Sequence, residues 1–294
     1  MQLLDGKLIS DQIKTEIAKE VKETMLDKGK NAPHLAAVLV GDDPASETYE
    51  TSKEKACKEV GFISSIYKYP STIYQQKLLD AVDFLNNDEE VDGFIVQLPL
   101  PKHIDEHKII ERINPAKDVD GFHPVNLGRM MLNLPSYIPA TPMGIMTLLG
   151  RYDIETEGTH CVVLGRSHIV GTPISILLSR KAKTGNATVT LCHSYTRDLP
   201  TITRMADILI VAIGMLEFVT ADMVKQGAVV VDVGMHRVPS AETKSGFRLK
   251  GDVKFDEVSK KCSYISPVPG GVGLMTIVSL LQNTLKAAKK KIIF

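Results

Sequence analysis

The sequence predicts an α/β protein of two domains, the second built on a Rossmann-like, doubly wound parallel sheet. Short apolar runs alternate with helical patterns twice along the chain, first up to about residue 114 and again after about residue 144. Several runs of the second series are apolar throughout, as expected for parallel strands covered on both faces. With 294 residues, the chain is long enough for two domains that each bury a core.

The first series gives three strands and two helices before a connecting passage. The predicted strands are "HLAAVLVG", "FISSIYKY" and "DGFIVQLPLP", with helices near 45–60 and 74–86 between them. The segment 114–144 is rich in proline and glycine and contains "DVDG". We expect this segment to connect the two domains.

The second series restarts after a helix predicted in "TPMGIMTLLGRYD". Its strands are "HCVVLG", "ATVTLCH", "ADILIVAIG", "GAVVVDVG" and "CSYISPVPGG", with a helix predicted near 170–182. The last helix begins near residue 272 and ends in "KAAKKKIIF". Its lysines are typical of a solvated helix C-terminus rather than of a nucleic-acid patch.

Composition narrows the classes of partner. The chain has 35 Lys+Arg and 35 Asp+Glu, so no global field attracts nucleic acid or an anionic membrane. No stretch approaches the roughly 18 apolar residues of a membrane span, and the N-terminus lacks a signal-peptide core. These features predict a cytoplasmic protein without a nucleic-acid or membrane partner.

The cysteines and histidines do not suggest a metal. Cys57, Cys161, Cys192 and Cys262 are widely spaced without a C-x-x-C motif, which favours reduced, buried thiols over disulfides or zinc. The one histidine pair at helical spacing, in "HIDEH", has no third ligand in view. We therefore expect no metal site.

The helix predicted in "ASETYETSKEKACKEVG" carries a lysine on its apolar face. At about 100° per residue, Lys53 lies one turn beyond Tyr49 among the apolar residues, whereas Glu50 falls with the charged residues expected to face solvent. One interpretation is a lysine whose stem covers the core while its amine reaches water. The other is a functional amine in apolar surroundings, which favour its neutral form.

A glycine-containing turn in "VVLGRSHIVGTPISILL" predicts a dinucleotide site. Gly165 ends an apolar strand and Gly171 begins a helix, so backbone N–H groups and the helix dipole can hold a pyrophosphate. The spacing is not the usual G-x-G-x-x-G, and the strand–turn–helix context carries the prediction.

The next strand, "ATVTLCHS", indicates which dinucleotide is bound. A protein that prefers NAD has an acidic residue at the end of this strand, but here the strand ends in His193 and Ser194, with Arg197 nearby and Arg166 in the glycine turn. Guanidinium and hydroxyl donors suit a 2′-phosphate, which predicts NADP. The alternative is that these are ordinary loop residues.

Seven motifs together resemble one family in order and spacing. They are "TYETSK", "VQLPLP", "KDVDGFHP", "TPMG", "GRSHIVGTP", "CHS" and "SPVPGGVG". From about residue 2 to 288 the chain resembles the bifunctional methylenetetrahydrofolate dehydrogenase/methenyltetrahydrofolate cyclohydrolase family. The resemblance implies two α/β domains flanking a cleft: a folate-binding catalytic domain, 1–138, completed by the C-terminal helix 272–294, and an NADP-binding domain, 139–271. It also implies a homodimer.

The resemblance assigns roles to particular residues. It implies that Tyr49 stacks on the folate, that Lys53 lies beside the one-carbon bridge and is hydrogen-bonded by Gln97, and that Asp120 binds the pterin; these four are the expected catalytic residues. Further substrate contacts are expected from Ser46, Leu98, Pro99, Pro269, Gly270 and Gly271. Cofactor contacts are expected from Gly165, Arg166, Ser167, Val170, Gly171, Pro173, His193, Ser194, Gly214, Gly234 and Thr276. The bonds Leu98–Pro99 and Val268–Pro269 are candidate cis peptides.

Four positions depart from the family pattern. Ala140 stands where cysteine is common, Met143 where a polar residue is usual, Leu274 where proline is usual, and His236 where asparagine is usual. We expect these to affect relative rates and cofactor preference while the reaction class survives. Two alternatives stay open: an NADP-dependent dehydrogenase of another small substrate, of the shikimate type, and a dinucleotide-binding regulator without catalysis.

Overall fold

The computed structural model describes residues 1–41, 44–243, 246–290 and 292, with the backbone alone for 44–49. It divides into two compact units. The three-stranded unit comprises residues 11–140 and 277–294, and the six-stranded unit comprises residues 1–10 and 141–276. Across the described ranges, every helix falls short of the length and apolarity that a membrane crossing requires.

The helices and strands alternate along most of the chain. The α-helices are α1 (Gly6–Thr24), α2 (Pro44–Glu59), α3 (Gln75–Asn87), α4 (Glu106–Arg112), α5 (Pro124–Met131), α6 (Ala140–Arg151), α7 (Gly171–Ser179), α8 (Leu199–Thr203), α9 (Phe255–Val258) and α10 (Val272–Ala288). The strands are β1 (Gln2–Leu3), β2 (His34–Val40), β3 (Ile63–Tyr69), β4 (Gly93–Val96), β5 (His160–Leu164), β6 (Thr188–Cys192), β7 (Ile208–Val211), β8 (Val229–Asp232), β9 (His236–Pro239), β10 (Phe247–Lys250) and β11 (Tyr264–Ile265). This alternation confirms the predicted α/β class.

The three-stranded unit has a parallel sheet in the order β3-β2-β4. In register, Val38 of the central strand lies beside Tyr67 on one side and Val96 on the other. The middle of β2 is fully buried, because helices cover both faces of a parallel sheet. Asn283 of α10 donates hydrogen bonds of 2.9 Å to the carbonyl oxygens of Val119 and Ile138 in this unit.

The six-stranded unit has a parallel sheet in the order β1-β11-β8-β7-β5-β6. Strand β5 has β6 on one side and β7 on the other, so the chain reverses its direction of winding at β5. In a doubly wound sheet, the loops at the carboxyl ends of the strands beside such a reversal form the ligand-binding crevice. The predicted Rossmann-like sheet is confirmed, and its core includes Val162, Leu209, Val230 and Ile265.

Two features of this unit were not predicted from the pattern of apolar residues. The first ten residues belong to the unit because β1 pairs with β11, and a two-residue strand is too short to show an alternation. The antiparallel hairpin of β9 and β10 is largely exposed and rich in charge, so it lacks the apolar run that identified the other strands.

Candidate functional site

The Lys53 amine lies at the centre of a buried polar cluster in the three-stranded unit. The Lys53 side chain is only 4% exposed, and Nζ donates a hydrogen bond of 2.8 Å to Gln97 Oε1. Gln97 follows β4 directly, and its backbone N–H continues the ladder to Val38 O at 2.9 Å. The amine is therefore held inside the protein, which excludes the interpretation that it reaches water.

Glu50 is the second partner of this amine, and the expectation that it faces solvent is wrong. Its side chain is 5% exposed, and Oε2 lies 3.3 Å from Lys53 Nζ, one turn along α2. Glu50 and Cys57 are seven residues apart, which on an α-helix differs by only about 20°. The carboxylate therefore lies at the edge of the buried stripe, where Cys57 is fully buried.

Asp120 lies close enough to this cluster for both charges to act on it. Burial raises the pKa of the Asp120 carboxyl to about 6; the Lys53 charge lowers this pKa, and the Glu50 charge raises it. Among the described residues, no hydrogen bond to the Asp120 side chain is found.

The other aspartate of "DVDG" has a different task. Asp118 is buried and accepts hydrogen bonds from the backbone N–H of Gly121, Phe122 and His123 at 3.2, 3.3 and 2.8 Å, and from Asn126 Nδ2 at 2.8 Å. These bonds fix the turn that presents Asp120. Asp118 was not among the predicted site residues.

Two of the predicted folate contacts fall outside the described side chains. Ser46 and Tyr49 lie in the first half of α2, and only the backbone of that part is described. Leu98 and Pro99 follow Gln97 directly, and the peptide bond between them, one of the two candidates, is cis. Gln97 Nε2 donates to Leu98 O at 2.9 Å, so the amide oxygen of Gln97 is directed at Lys53.

The glycine-containing turn of the six-stranded unit connects β5 to α7, as predicted. Gly165 has φ of 109°, and a Cβ atom on it would lie 2.0 Å from Ala212 O at the end of β7. A Cβ atom on Gly171 would lie 1.9 Å from Gly165 O. Both positions therefore require glycine, and the turn brings bare backbone to the start of α7, where an anion is favoured.

The side chains of this turn line the same carboxyl edge of the sheet. Ser167 Oγ accepts from the N–H groups of Val170 and Gly171 at 3.2 and 3.3 Å, and Pro173 is buried in the first turn of α7. Arg166 is exposed, and its Cζ lies 5.8 Å from the centre of the Tyr195 ring. That distance is within the range of a cation–π contact.

Tyr195 comes just after β6, the strand whose end was expected to indicate which dinucleotide is bound. His193 and Ser194 follow the strand end, and the His193 ring meets the Tyr195 ring edge-on at 6.3 Å. The structure thus places Arg166 alongside the His193–Tyr195 segment, and no carboxylate directly follows the strand. A 2′-phosphate fits this donor set.

Gly214 and Gly234, also predicted to contact the cofactor, are joined by a network of two buried aspartates. Asp252 Oδ2 accepts from Ile213 N at 2.8 Å and from Gly214 N at 2.9 Å, while Asp252 Oδ1 lies 2.8 Å from His236 Nε2. Sequence reasoning missed Asp252, because it lies in a short irregular segment after β10 that carries no periodicity.

The second aspartate, Asp232, ends β8. Its Oδ1 accepts from Gly234 N and from Asp252 N at 3.0 Å each, and its own N–H donates to Ser266 Oγ at 2.8 Å. Burial raises the pKa of Asp232 to about 7. The two carboxylates thereby fix the loops after β7 and β8 at the carboxyl edge of the sheet.

The loop after β11 contains the remaining predicted residues. The Val268–Pro269 bond, the other candidate, is cis, and Gly270 has φ of 104°. A Cβ atom on Gly271 would lie 2.5 Å from Pro267 O, so this loop also requires glycine. Thr276, one turn into α10, has Oγ1 3.0 Å from that of Thr141.

Comparison with known proteins identifies the family. The catalytic-domain model of tetrahydrofolate dehydrogenase/cyclohydrolase matches residues 4–120, and the NAD(P)-binding-domain model matches residues 139–292. The chain belongs to the tetrahydrofolate dehydrogenase/cyclohydrolase family. This confirms the family that the seven motifs indicated.

Relatives of this family match over almost the whole chain. The bifunctional protein FolD of Cytophaga hutchinsonii is 65% identical over 291 residues, 99% of this chain and 100% of that protein. The bifunctional enzyme of Campylobacter jejuni has a crystal structure with a TM-score of 0.91, 48% identity, and coverage of 99% and 100%. The Trypanosoma brucei enzyme, solved with NADP cofactor and inhibitor, has a TM-score of 0.92, 37% identity, and coverage of 98% and 97%.

The four departures from the family pattern lie at identifiable places. Ala140 is buried at the start of α6, and Met143 is half-buried in its first turn. Leu274 is half-buried in the first turn of α10. His236 begins β9 and pairs with Asp252, so it is the departure that touches the network behind Gly214.

Proposed function

We propose that the chain oxidises 5,10-methylenetetrahydrofolate to 5,10-methenyltetrahydrofolate with NADP⁺ and hydrolyses the product to 10-formyltetrahydrofolate, as a member of its family. The observation that carries this proposal is the buried Lys53 amine, held by Gln97 at 2.8 Å in a cluster with Glu50 and Asp120. Such a cluster is costly to bury and has no evident structural purpose in a helix that could have been apolar.

The first reaction requires positioning more than proton transfer. Removing a hydride from the methylene bridge leaves a cation shared by two folate nitrogens, so no proton moves in this step. NADP⁺, when bound, supplies the hydride acceptor. The chain's task is to hold the folate with its bridge beside Lys53, with Leu98 and Pro99 as further proposed contacts.

The second reaction requires a group that takes and returns a proton, and we assign this role to Lys53. The water oxygen bonds to the methenyl carbon, and its proton passes to the Lys53 amine. The bond from this carbon to one folate nitrogen then breaks, that nitrogen takes the proton back, and the hydroxyl proton is released to solvent as the carbonyl forms. Gln97 Oε1 accepts a hydrogen bond from this amine at 2.8 Å and so fixes its position.

Asp120 is proposed to bind the pterin. The 2-amino group of the pterin and its adjacent ring N–H form a donor pair that one carboxylate accepts through two oxygens. With its pKa raised to about 6, the Asp120 carboxyl is ionised at neutral pH and can accept both bonds. Ser46 and Tyr49 are proposed to support the folate from α2.

The six-stranded unit fits NADP at the carboxyl edge of its sheet. The Gly165–Gly171 turn and the N-terminus of α7 suit the pyrophosphate, and Arg166 with Ser194 suits the 2′-phosphate. Ser167, Val170, Pro173, His193, Gly214, Gly234 and Thr276 are proposed as further cofactor contacts, and Pro269, Gly270 and Gly271 as folate contacts.

We also propose a cellular location and an oligomeric state for the protein. All four cysteines are free and buried, which suits a reducing compartment, so we propose a cytoplasmic location. A homodimer is proposed from the family resemblance, and light scattering after gel filtration would then give twice the chain mass of 32.3 kDa. The shikimate-type and regulatory alternatives are not favoured, because both family models describe the folate enzyme.

The test is an assay that separates the two reactions. With methylenetetrahydrofolate and NADP⁺, the wild-type protein should form NADPH and then 10-formyltetrahydrofolate faster than the uncatalysed reaction. Lys53→Met should abolish methenyl hydrolysis while NADP binding is unchanged. Lys58→Met is the matched control, because Lys58 lies on the same helix, is 73% exposed, and pairs with Glu54. Wild-type hydrolysis in Lys53→Met would remove Lys53 from the proposed role.

A further inference from the structure

Glu50 is a buried carboxylate for which the proposed reactions assign no role. It lies within the stripe of α2 that also carries Lys53 and Cys57, and its side chain is 5% exposed. Burying a carboxylate costs several kcal/mol unless it is paired. The partner here is the Lys53 amine, with 3.3 Å between Oε2 and Nζ.

The charge of Glu50 reaches three other titratable groups of the described cluster. Glu50 pairs with Lys53 on its own helix. It raises the pKa of Asp120, which lies in the loop that follows α4. It also adds to the effect of burial, which raises the pKa of the Cys57 thiol to about 12. Gln97, from the end of β4, is the neutral partner of the same amine. The charge of Glu50 therefore acts on both the proposed proton carrier and the proposed pterin ligand.

We propose that Glu50 is a positioning residue of the folate site, which holds the Lys53 amine from the helix side and balances its positive charge whenever the amine is protonated. This inference rests on the proposed function. When Lys53 is protonated, the pair with Glu50 carries no net charge, and when Lys53 is neutral the pair is anionic. In either state the cation that develops on the folate does not meet a net positive charge.

The variant Glu50→Gln tests the charge of this side chain separately from its size and shape. Glu50→Gln keeps the length of the side chain and an oxygen that can accept from Lys53, but removes the carboxylate charge that pairs with the amine at 3.3 Å. We expect the dehydrogenase kcat to fall about tenfold or more, because two charges a few ångströms apart in a buried site interact strongly. NADP binding should not change.

The pH profile provides a readout that a purely structural role would not move. Asp120 must be ionised to accept the pterin donors, so kcat/KM for the folate should fall as the pH drops through about 6. Removing the Glu50 charge removes one contribution that raises this pKa. The acidic limb of the profile in Glu50→Gln should therefore move to lower pH.

The matched control is Glu54→Gln. Glu54 lies one turn further along the same helix, is 39% exposed, and pairs with Lys58 at 2.9 Å. This control should keep the wild-type rate and pH profile. If Glu50→Gln does the same, the inference is overturned.

A double-mutant cycle shows whether Glu50 acts through Lys53. The effect of Glu50→Gln on the dehydrogenase rate should vanish in the Lys53→Met background, because no ammonium is left to neutralise. An equal loss in both backgrounds would overturn the inference in favour of a general effect on folding.

If Glu50→Gln does not fold, a second pair of variants tests the same inference. Glu50→Asp keeps the charge and should retain more dehydrogenase activity than Glu50→Ala. Equal activity of these two variants would also overturn the inference. A wild-type protein that forms no NADPH would instead refute the proposed function itself.

Discussion

The Lys53 amine and the Gln97 amide oxygen, 2.8 Å apart, join the middle of helix α2 to the end of strand β4. The amide is held in this orientation because its Nε2 donates to Leu98 O at 2.9 Å. Its backbone is fixed as well, since Gln97 N donates to Val38 O. The acceptor that faces Lys53 is therefore positioned by the sheet rather than by a flexible side chain.

This arrangement predicts that Gln97→Ala slows hydrolysis of the methenyl compound about 10- to 100-fold, which corresponds to a hydrogen bond to a charged group of about 1.5–3 kcal/mol. The rate of 10-formyltetrahydrofolate formation from methenyltetrahydrofolate measures the effect directly. Gln76→Ala is the control, because Gln76 is on the surface of α3 and bonds only Asp80 among the described contacts. Unaltered hydrolysis in Gln97→Ala would show that the amine does not need this acceptor.

Lys53 could be predicted from the sequence, but its charged neighbour could not. A lysine in the middle of an apolar stripe is conspicuous, whereas a glutamate at the border between stripe and surface is read as exposed. Glu50 lies about 20° from Cys57, and helical periodicity does not resolve which of two such residues is buried. The choice depends on Lys53 as a partner, which is a tertiary property.

The Arg166 guanidinium predicts discrimination between the two nicotinamide cofactors. Arg166→Ala should weaken NADP binding about tenfold or more while NAD binding changes little, because only NADP carries the 2′-phosphate that a guanidinium binds. Isothermal titration with each cofactor gives the two ratios. Arg204→Ala is the control, since Arg204 is exposed directly after α8 and donates to Asp222 O and Thr201 Oγ1. Equal losses for both cofactors would contradict a contact with the 2′-phosphate.

The close contact of Gly165 with Ala212 predicts that one added methyl group will lower both stability and NADP binding. In Gly165→Ala the new Cβ atom would lie 2.0 Å from Ala212 O, at a φ of 109° that alanine rarely adopts. We expect a loss of more than about 2 kcal/mol in the free energy of unfolding and a loss of NADP binding. Urea denaturation and cofactor titration provide the two measurements.

Gly128→Ala is the matched control for this substitution. Gly128 lies within α5 and has ordinary helical backbone, and a Cβ atom on it would have open space for 4 Å around it. Alanine there should be neutral or should stabilise the helix by up to about 1 kcal/mol. A Gly165→Ala protein as stable as Gly128→Ala would contradict the close approach of the turn to β7.

The doubly wound sheet could be predicted because its strands are continuous apolar runs, while the parts that connect them could not. Asp252 and Asp232 are polar residues whose burial depends on the backbone N–H groups that surround them, and these come from loops distant in sequence. Similarly, β1 exists only because β11 offers it an edge. The local pattern of apolar and polar residues does not indicate partners that are distant in the sequence.

The hydrogen bonds of Asp252 predict that this residue affects NADP binding through the loop after β7, which contains Ile213 and Gly214. In Asp252→Ala, the N–H groups of Ile213 and Gly214 lose the oxygen that accepts both hydrogen bonds. Each buried N–H group left without an acceptor costs about 1–3 kcal/mol. We therefore expect KM for NADP to rise about tenfold or more, while KM for the folate changes less. Asp252→Asn should be milder, because its amide oxygen can still accept both bonds while its Nδ2 faces the His236 ring. Asp256→Ala, at an exposed position of α9, is the control and should behave as wild type. Steady-state kinetics with each substrate varied in turn would decide the point, and a normal KM for NADP in Asp252→Ala would show that this carboxylate does not support the cofactor loop.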